Sequence, residues 1–328
     1  IETYRFGPPL DGWLDDSEPL KIMAHRGPPP IALQAGHAAS NPEVYDRAVR
    51  WLVKGYGYFE DFGVPALTEQ EQFEYQRVKA IALPFLEAVD RTTRQKMIPA
   101  IDGVQSMLVV DGGGLVEQAP QVGPLPAPVP VPRLGIAVRL NDGAQFVAAI
   151  QEYVAASNTL LTDIRRAFPE EGMPPIQIPA PQTEPAGGGL MYYYPLPWAL
   201  SPDVMPCALL KDDLLILSTS ALYAEAMASE QPTLRDPIVA PDQAAARVIR
   251  VDFAQGINLL EGMADAVYQN LTHMGEMDSN DLQNAAMVKI HLNGVLRSLR
   301  AVRSFCGTMT FEDGRTVTHS WLHIEDID

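Results

Sequence analysis

The end of the chain carries the residues that most resemble a metal site. His319, His323 and Glu325 occupy alternate positions, so in a strand their side chains share one face. Residues four apart on a strand are separated by about 13 Å, which is too far for both imidazoles to bind one ion. The β-branched run Thr316-Val317-Thr318 favours a strand over a helix. We therefore predict no metal site.

A glycine run is the second place where chemistry could lie. Backbone amides of Asp111-Gly112-Gly113-Gly114 could cradle an anion. The run lacks the Gly-Lys-Ser/Thr of a P-loop and the spacing of a dinucleotide-binding turn, and a proline-rich segment follows it instead of a helix. We interpret it as a loop that ends a strand. The sequence also lacks Gly-x-Ser-x-Gly and His-Glu-x-x-His, so we predict no catalytic residue and no cofactor.

An aromatic run offers a recognition surface. Tyr192, Tyr193 and Tyr194 are consecutive, and Trp198 follows four residues later. Alternating tyrosines on a strand divide between core and rim, whereas aromatic side chains on one surface are typical of ligand grooves and protein interfaces. We take these four residues as the candidate contacts with a ligand or partner.

The two cysteines leave two interpretations open. Cys207 and Cys306 each begin the first hairpin strand of a predicted repeat. They are either buried small apolar residues or a disulfide, which in the chain-entropy view would stabilise the fold by about 4–5 kcal/mol for a loop of about 100 residues. Two cysteines are too few for a disulfide scaffold or a zinc cage.

Composition limits the partners. The chain has 328 residues, 47% of them apolar, and a net charge of −17. This acidic balance argues against nucleic acid, which needs a concentrated basic surface. No apolar run reaches the length of about 18 residues expected of a transmembrane helix. Because the chain begins at Ile1 and not at Met, we expect an upstream segment to have been removed.

The elements that would position these residues form a pattern of strand, helix and hairpin that occurs twice. Each predicted repeat begins with an apolar strand, 134–140 in the first and 247–253 in the second, and ends in a hairpin that contains one of the cysteines. The strongest single prediction is the helix between the leading strand and the hairpin of the first repeat. It is capped by Asn141 or Asp142 and ends before Pro169. The predicted domains are a proline-rich extended arm at 1–41, a helical segment at 42–97, and α+β repeats at 98–229 and 230–328.

Two further interpretations concern prolines and a sequon. Residues 118–133 contain six prolines and predict a polyproline-like connector. Pro84 is expected to kink or split the second N-terminal helix. Asn270-Leu271-Thr272 matches the glycosylation sequon, but it falls within a predicted helix and we consider it incidental. The predicted fold class is α+β, with mostly antiparallel or mixed sheets and helices packed on one face.

The stretch from about Pro99 to Glu325 resembles a family of uncharacterised secreted bacterial proteins of the kind found in planctomycetes. The likeness rests on the order of four segments: 98–105 (IPAIDGVQ), 134–138 (LGIAV), 174–179 (PPIQIP) and 192–197 (YYYPLP). The resemblance implies export and an α+β fold, and it implies no activity.

These observations favour a non-catalytic exported protein, secreted or in the periplasm or cell envelope. We expect it to serve as an interaction or structural component of an extracellular assembly, with the proline-rich arm docking on protein partners. The alternative is a carrier that binds an apolar ligand in a groove between sheet and helices, near the tyrosine run. A packed interface between sheet and helices would argue against the carrier.

Overall fold

The computed structural model describes residues 2–5, 19–38, 42–101, 104–119, 123–169, 172–194, 202–231, 245–274, 279–312 and 315–325. The chain forms two compact units. The sheet unit comprises Ile1–Ala38, Val104–Arg139 and Pro181–Asp328, and the helical unit comprises Ala39–Gly103 and Leu140–Ala180.

The sheet unit contains one antiparallel sheet. Its strands are β1 (Glu2–Arg5), β2 (Ala32–Ala38), β3 (Val104–Ala119), β4 (Gly123–Arg139), β5 (Gln182–Ala186), β6 (Gly189–Tyr193), β7 (Cys207–Lys211), β8 (Leu214–Ser218), β9 (Arg247–Asp252), β10 (Val302–Glu312) and β11 (Arg315–Ile324). Their spatial order is β1-β11-β10-β9-β2-β3-β4-β8-β7-β6-β5. The predicted combination of helices with an antiparallel sheet is confirmed at this coarse level.

Helices occur in both units. The helical unit contains α1 (Pro42–Tyr58), α2 (Glu69–Thr92), α3 (Ile98–Ile101) and α4 (Gly143–Ala167), and the sheet unit contains α5 (Ala221–Ala228), α6 (Phe253–Met274) and α7 (Ser279–Leu299). Short 3-10 turns span Lys21–His25 and Pro202–Val204 in the sheet unit.

The core lies on one face of the sheet, which we call the inner face. The strand registers align Met191, Leu209, Ile216, Ala137 and Met107 in one row across β6, β7, β8, β4 and β3, and all five are buried. Helix α5 and the turn Lys21–His25 pack against this face through buried residues, which are Ile22, Tyr223, Ala224, Met227 and Ala228. Burial of these side chains is the main term that holds this part of the sheet together.

The first residues of the chain differ from the predicted extended arm. Glu2–Arg5 pair with β11, and β2 lies in the middle of the sheet between β3 and β9. Leu33 and Ala35 of β2 are buried in the core. The prolines therefore flank a central strand, and its pairing with distant strands overrides the local signal for an extended arm.

The proline-rich connector predicted at 118–133 is wrong, because β4 occupies Gly123–Arg139. It pairs with β3 on one side, with Leu115 opposite Pro130, and with β8 through residues 135–139 on the other. Likewise, the glycine run does not end a strand. It lies inside β3, where the register shifts between Asp111 and Gly114 in an irregularity of the β-bulge type.

The duplicated unit is not confirmed by the order of the strands. In the first half the second hairpin strand, β8, pairs with β4. In the second half the first hairpin strand, β10, pairs with β9. The two hairpins are therefore attached to their leading strands in opposite order.

Local capping signals place the helices of the helical unit. The side chain of Asp142 accepts a hydrogen bond from Gln145 N at 2.8 Å and begins α4, which ends at Ala167 before Pro169. Thr68 and Glu71 form the predicted capping box of α2. This helix continues through Pro84 and is not split there.

Candidate functional site

An exposed apolar row crosses the other face of the sheet, which we call the outer face. The registers align Tyr192, Ala208, Leu217, Ile136 and Leu108 across β6, β7, β8, β4 and β3. Leu217, Ile136 and Leu108 are 41%, 40% and 45% exposed. At about 4.8 Å per strand, four spacings give this apolar row a width of roughly 19 Å.

Neighbouring positions extend the surface along the strands. Leu190 precedes Tyr192 by two residues and Leu134 precedes Ile136 by two, so both lie on the outer face, and both are exposed. The exposed apolar surface therefore extends from the row along β4 and β6. Exposed apolar patches of this breadth mark interaction sites more often than ordinary solvent-facing surface.

The sheet separates the predicted aromatic contacts. Tyr192 lies on the outer face at the end of the apolar row, whereas Tyr193 lies on the inner face, partly buried against the core. Tyr194 follows β6 and is exposed. Trp198 lies outside the described residues. The structure therefore brings Tyr192, and not Tyr193, together with the exposed leucines of the outer face.

The residues that sequence reasoning missed are the aliphatic members of the row. Leu217, Ile136 and Leu108 belong to predicted strands, but no prediction placed them in a site. The signal was present in β8, where Leu214-Leu215-Ile216-Leu217 is apolar at every position. Such a run is typical of a strand covered on both faces.

The glycine run takes part in a buried ionic network. Arg133 on β4 donates to Oδ2 of Asp111 through Nε at 2.8 Å and through Nη2, and Gly113 N donates to the same oxygen at 3.0 Å. Nη1 of Arg133 also lies 3.4 Å from Oδ1 of Asp203. The guanidinium stacks on the ring of Tyr223, with Cζ 5.0 Å from the centroid.

This network explains why the glycine run is a poor anion cradle. The amide of Gly113 already donates to Asp111, and the carboxylate of Asp111 occupies the place an anion would take. Burial raises the pKa of Tyr223, and Asp111 raises it further, so its phenol stays protonated and donates to the carbonyl of Arg26 at 3.1 Å. The arrangement holds the bulge of β3 against β4, with the carboxylate of Asp111 paired with Arg133.

A small cavity lies beside this network. It has a volume of about 350 Å³ and is lined by Ile31, Asp111, Gly112, Gly113, Pro130, Gln255, Asn258 and Leu259. Its carboxylate is held by Arg133, and Gln255 Nε2 donates to Asp252 at 3.2 Å. Among the described residues that line it, Asp111 is the only ionisable side chain, and it is paired with Arg133.

The histidines of β11 lie as the strand pattern predicts. The rings of His319 and Trp321 stack with centroids 5.9 Å apart, and Nε2 of His323 lies 3.4 Å from Oε1 of Glu325. Among the residues the structure describes, no group of three or more His, Cys, Asp or Glu side chains could hold a metal ion.

The two cysteines lie far apart in one row of the inner face. From Cys207 the row passes through Ser218, Gly135, Val109, Leu33 and Arg250 to Cys306. Six strand spacings separate the two residues by roughly 29 Å, whereas a disulfide needs Cα atoms within about 7 Å. The disulfide considered from the sequence is therefore excluded, and both residues are buried apolar side chains.

The asparagine of the sequon Asn270-Leu271-Thr272 has a structural role. Asn270 is buried on α6, where Oδ1 accepts from Ala127 N at 2.9 Å and Nδ2 donates to Ala127 O at 2.8 Å. This side chain satisfies the backbone of the proline-rich part of β4. Glycosylation would require both hydrogen bonds to break.

The helical unit has an exposed aromatic surface of its own. Trp51 on α1 and Phe73 on α2 are 66% and 67% exposed, and Leu52 and Phe62 are exposed as well. Lys54 Nζ lies 5.4 Å from the ring centroid of Trp51.

No protein-family model, no curated protein and no solved structure matches this chain. The likeness to secreted planctomycete proteins therefore stays a prediction. Within the described ranges, no helix is both long enough and apolar enough to span a membrane.

Proposed function

We propose that this chain is a non-catalytic exported protein that acts as an interaction component of an extracellular or envelope assembly. The observation that carries the proposal is the exposed apolar row on the outer face, from Tyr192 through Leu217 and Ile136 to Leu108. The occupant we propose is a protein partner with a complementary apolar surface.

The shape of the surface favours a protein over a small ligand. Small-molecule sites are concave and bury most of their ligand, whereas the outer face is a sheet surface roughly 19 Å wide along the row. The carrier alternative requires a groove between sheet and helices. Near Tyr193 that space is occupied by Met191, Leu209 and Tyr223, which are fully buried. We therefore favour docking of a protein.

Site-specific photocrosslinking in the source cells tests the proposal. A photoreactive phenylalanine derivative at position 217 or 136 should give discrete crosslinked products, because both side chains lie in the row. The matched control is position 222, where Leu222 on α5 is exposed outside the outer face. Equal crosslinking from positions 217, 136 and 222 would contradict docking on this face.

The identity of the products separates two kinds of assembly. A product of twice the chain mass would indicate that a second copy covers the outer face, and a product of another mass would indicate a different protein. Leu217→Lys should abolish the product formed from position 136 without unfolding the chain, since Leu217 is already partly in solvent.

Export is tested separately, because it rests on the resemblance and not on the outer face. Fractionation of the source cells, followed by detection with an antibody against the chain, should place the protein outside the cytoplasm. Recovery in the cytoplasmic fraction alone would contradict the exported part of the proposal and leave the docking part standing.

A further inference from the structure

Arg26 is a buried cation whose charge is not balanced by the groups around it in the described part of the chain. It directly follows the turn Lys21–His25 and is 7% exposed. Its Nε and Nη1 atoms are buried, and neither has a hydrogen-bond partner among the described residues. None of the ion pairs found between described residues includes Arg26.

A second cation lies close to it. Arg250 of β9 occupies the inner face between Leu33 and Cys306. Burial lowers the pKa of Arg26, and the positive charge of Arg250 lowers it further. A guanidinium that has lost its hydration is destabilised unless a counter-charge compensates it.

Hydrogen bonds fix the backbone on which Arg26 stands. Ile22 N donates to Gln105 Oε1 at 3.0 Å, and His25 Nδ1 donates to the carbonyl of Met227 at 3.1 Å. The carbonyl of Arg26 itself accepts from the hydroxyl of Tyr223 at 3.1 Å. These hydrogen bonds tie Arg26 and the turn before it to β3 and α5.

A buried guanidinium with unused N–H groups is costly unless an anion compensates it. The chain has 41 acidic and 24 basic residues, so carboxylates are plentiful, yet none of the described ones is paired with Arg26. A planar guanidinium presents its N–H groups in a fork that matches the oxygens of carboxylates and phosphates.

We propose that Arg26 forms a binding site for an anionic group, a carboxylate or a phosphate, of a small ligand. The anion accepts from Nε and Nη1 of Arg26. The site lies on the inner face and is independent of protein docking on the outer face.

Thermal unfolding of the full chain with two probe anions tests the site. Inorganic phosphate and acetate are titrated separately at constant ionic strength, with chloride as the balancing anion. At least one of them should raise the Tm saturably by a few degrees, because a ligand that binds only the folded chain stabilises it by mass action. A rise with phosphate alone indicates a phosphoryl ligand, and a rise with acetate alone indicates a carboxylate ligand.

The variants separate this site from general salt effects. Arg26→Met should abolish the saturable rise, while Arg165→Met, which removes an exposed arginine of α4, should leave it unchanged. Absence of a saturable rise with either anion in the unaltered protein would overturn the proposal. Retention of the full rise in Arg26→Met would overturn it as well.

Two further measurements hold even if one variant folds poorly. In chloride alone, Arg26→Met should melt at the same temperature as the unaltered protein or higher, since an uncompensated buried charge is removed. A marked fall would mean that another part of the chain already pairs with Arg26, which would contradict ligand binding. Equilibrium dialysis of labelled phosphate and labelled acetate should show one bound anion on the unaltered protein and a severalfold loss of affinity in Arg26→Lys, because lysine keeps the charge but not the planar fork of N–H groups.

Discussion

The ionic network around Asp111 should be the most sensitive polar feature of the sheet unit. In Asp111→Ala, Arg133 loses two hydrogen bonds to the carboxylate, and Gly113 N loses its acceptor. The side chains of Arg133 and Asp111 are only 13% and 7% exposed, so little solvent can reach them to replace the lost hydrogen bonds. Removal of one partner of such a pair costs about 3–5 kcal/mol, because the other charge stays buried.

Urea unfolding followed by circular dichroism measures this effect. We expect Asp111→Ala to lower the free energy of unfolding by about 3–5 kcal/mol, and Arg133→Met to lower it by a similar amount. The double variant should lose less than the sum of the two, with a coupling energy of up to about 3 kcal/mol, because neither Asp111 nor Arg133 is then left without the other.

A surface pair of the same unit provides the control. Nε of Arg303 lies 2.7 Å from Oε2 of Glu325, but their side chains are 39% and 48% exposed. Glu325→Ala should therefore change the free energy of unfolding by about 1 kcal/mol or less. If Asp111→Ala and Glu325→Ala have equal effects, burial does not decide the strength of these ion pairs, and the reasoning fails.

Three further predictions concern packing, pH and thiol reactivity. Gly135→Ala would place Cβ 2.3 Å from Sδ of Met227 and should lower the free energy of unfolding by about 1–3 kcal/mol. Gly294→Ala on α7, where the added Cβ meets nothing, should raise the free energy of unfolding by up to about 1 kcal/mol. Urea midpoints that shift in the same direction for both variants would contradict this. Burial lowers the pKa of His25 from its usual 6.5, although the hydrogen bond to Met227 opposes the shift. The folded chain then binds fewer protons, so its stability should fall as the pH drops below about 6.5, and His25→Gln should flatten that slope in urea titrations at several pH values. Burial raises the pKa of Cys207 to about 11, so iodoacetamide should label it in urea and hardly at all in the folded chain near pH 8; rapid labelling of the folded chain would refute this.

Helix α4 and the two hairpins could be predicted because their signals are local. The side chain of Asp142 caps the helix by accepting from the amide of Gln145, three residues further along. Pro169 lies just after the helix ends. The hairpins β7–β8 and β10–β11 each pair strands that follow one another closely in the sequence. In each case the deciding interactions join residues that are close in sequence.

The proline-rich segment shows how a local rule fails. Five prolines of β4 stand at alternate positions, from Pro124 to Pro132. Successive residues of an antiparallel strand direct their N–H groups to opposite edges, so alternate prolines remove donors from one edge only. Among the described strands only β3 pairs with residues 123–133, and at the register shift over residues 125–128 the backbone of Ala127 bonds to Asn270 instead. A strand paired on one edge can tolerate such prolines. The spacing of two residues, and not the number of prolines, was the informative signal.

The order of the strands could not be predicted, because it depends on pairs distant in sequence. β2 and β9 are neighbours in the sheet although more than two hundred residues separate Leu33 from Arg250. The reversed attachment of the two hairpins has the same cause, since a strand pattern does not state which hairpin strand pairs with the leading strand. The candidate row was missed for this reason, as its members come from five strands.

The outer face gives the strongest physical reason for a partner. Antiparallel sheets commonly bury one face and leave a polar one in solvent, with apolar and polar residues alternating along each strand. β8 breaks this rule, because Ile216 faces the packed core and Leu217 faces solvent. Leu217 continues into Ile136 and Leu108 on neighbouring strands, so the exception extends over several strands of the sheet. A sequence that makes both faces of these strands apolar has the composition of a sheet covered on both sides, and a protein partner on the outer face would complete that cover.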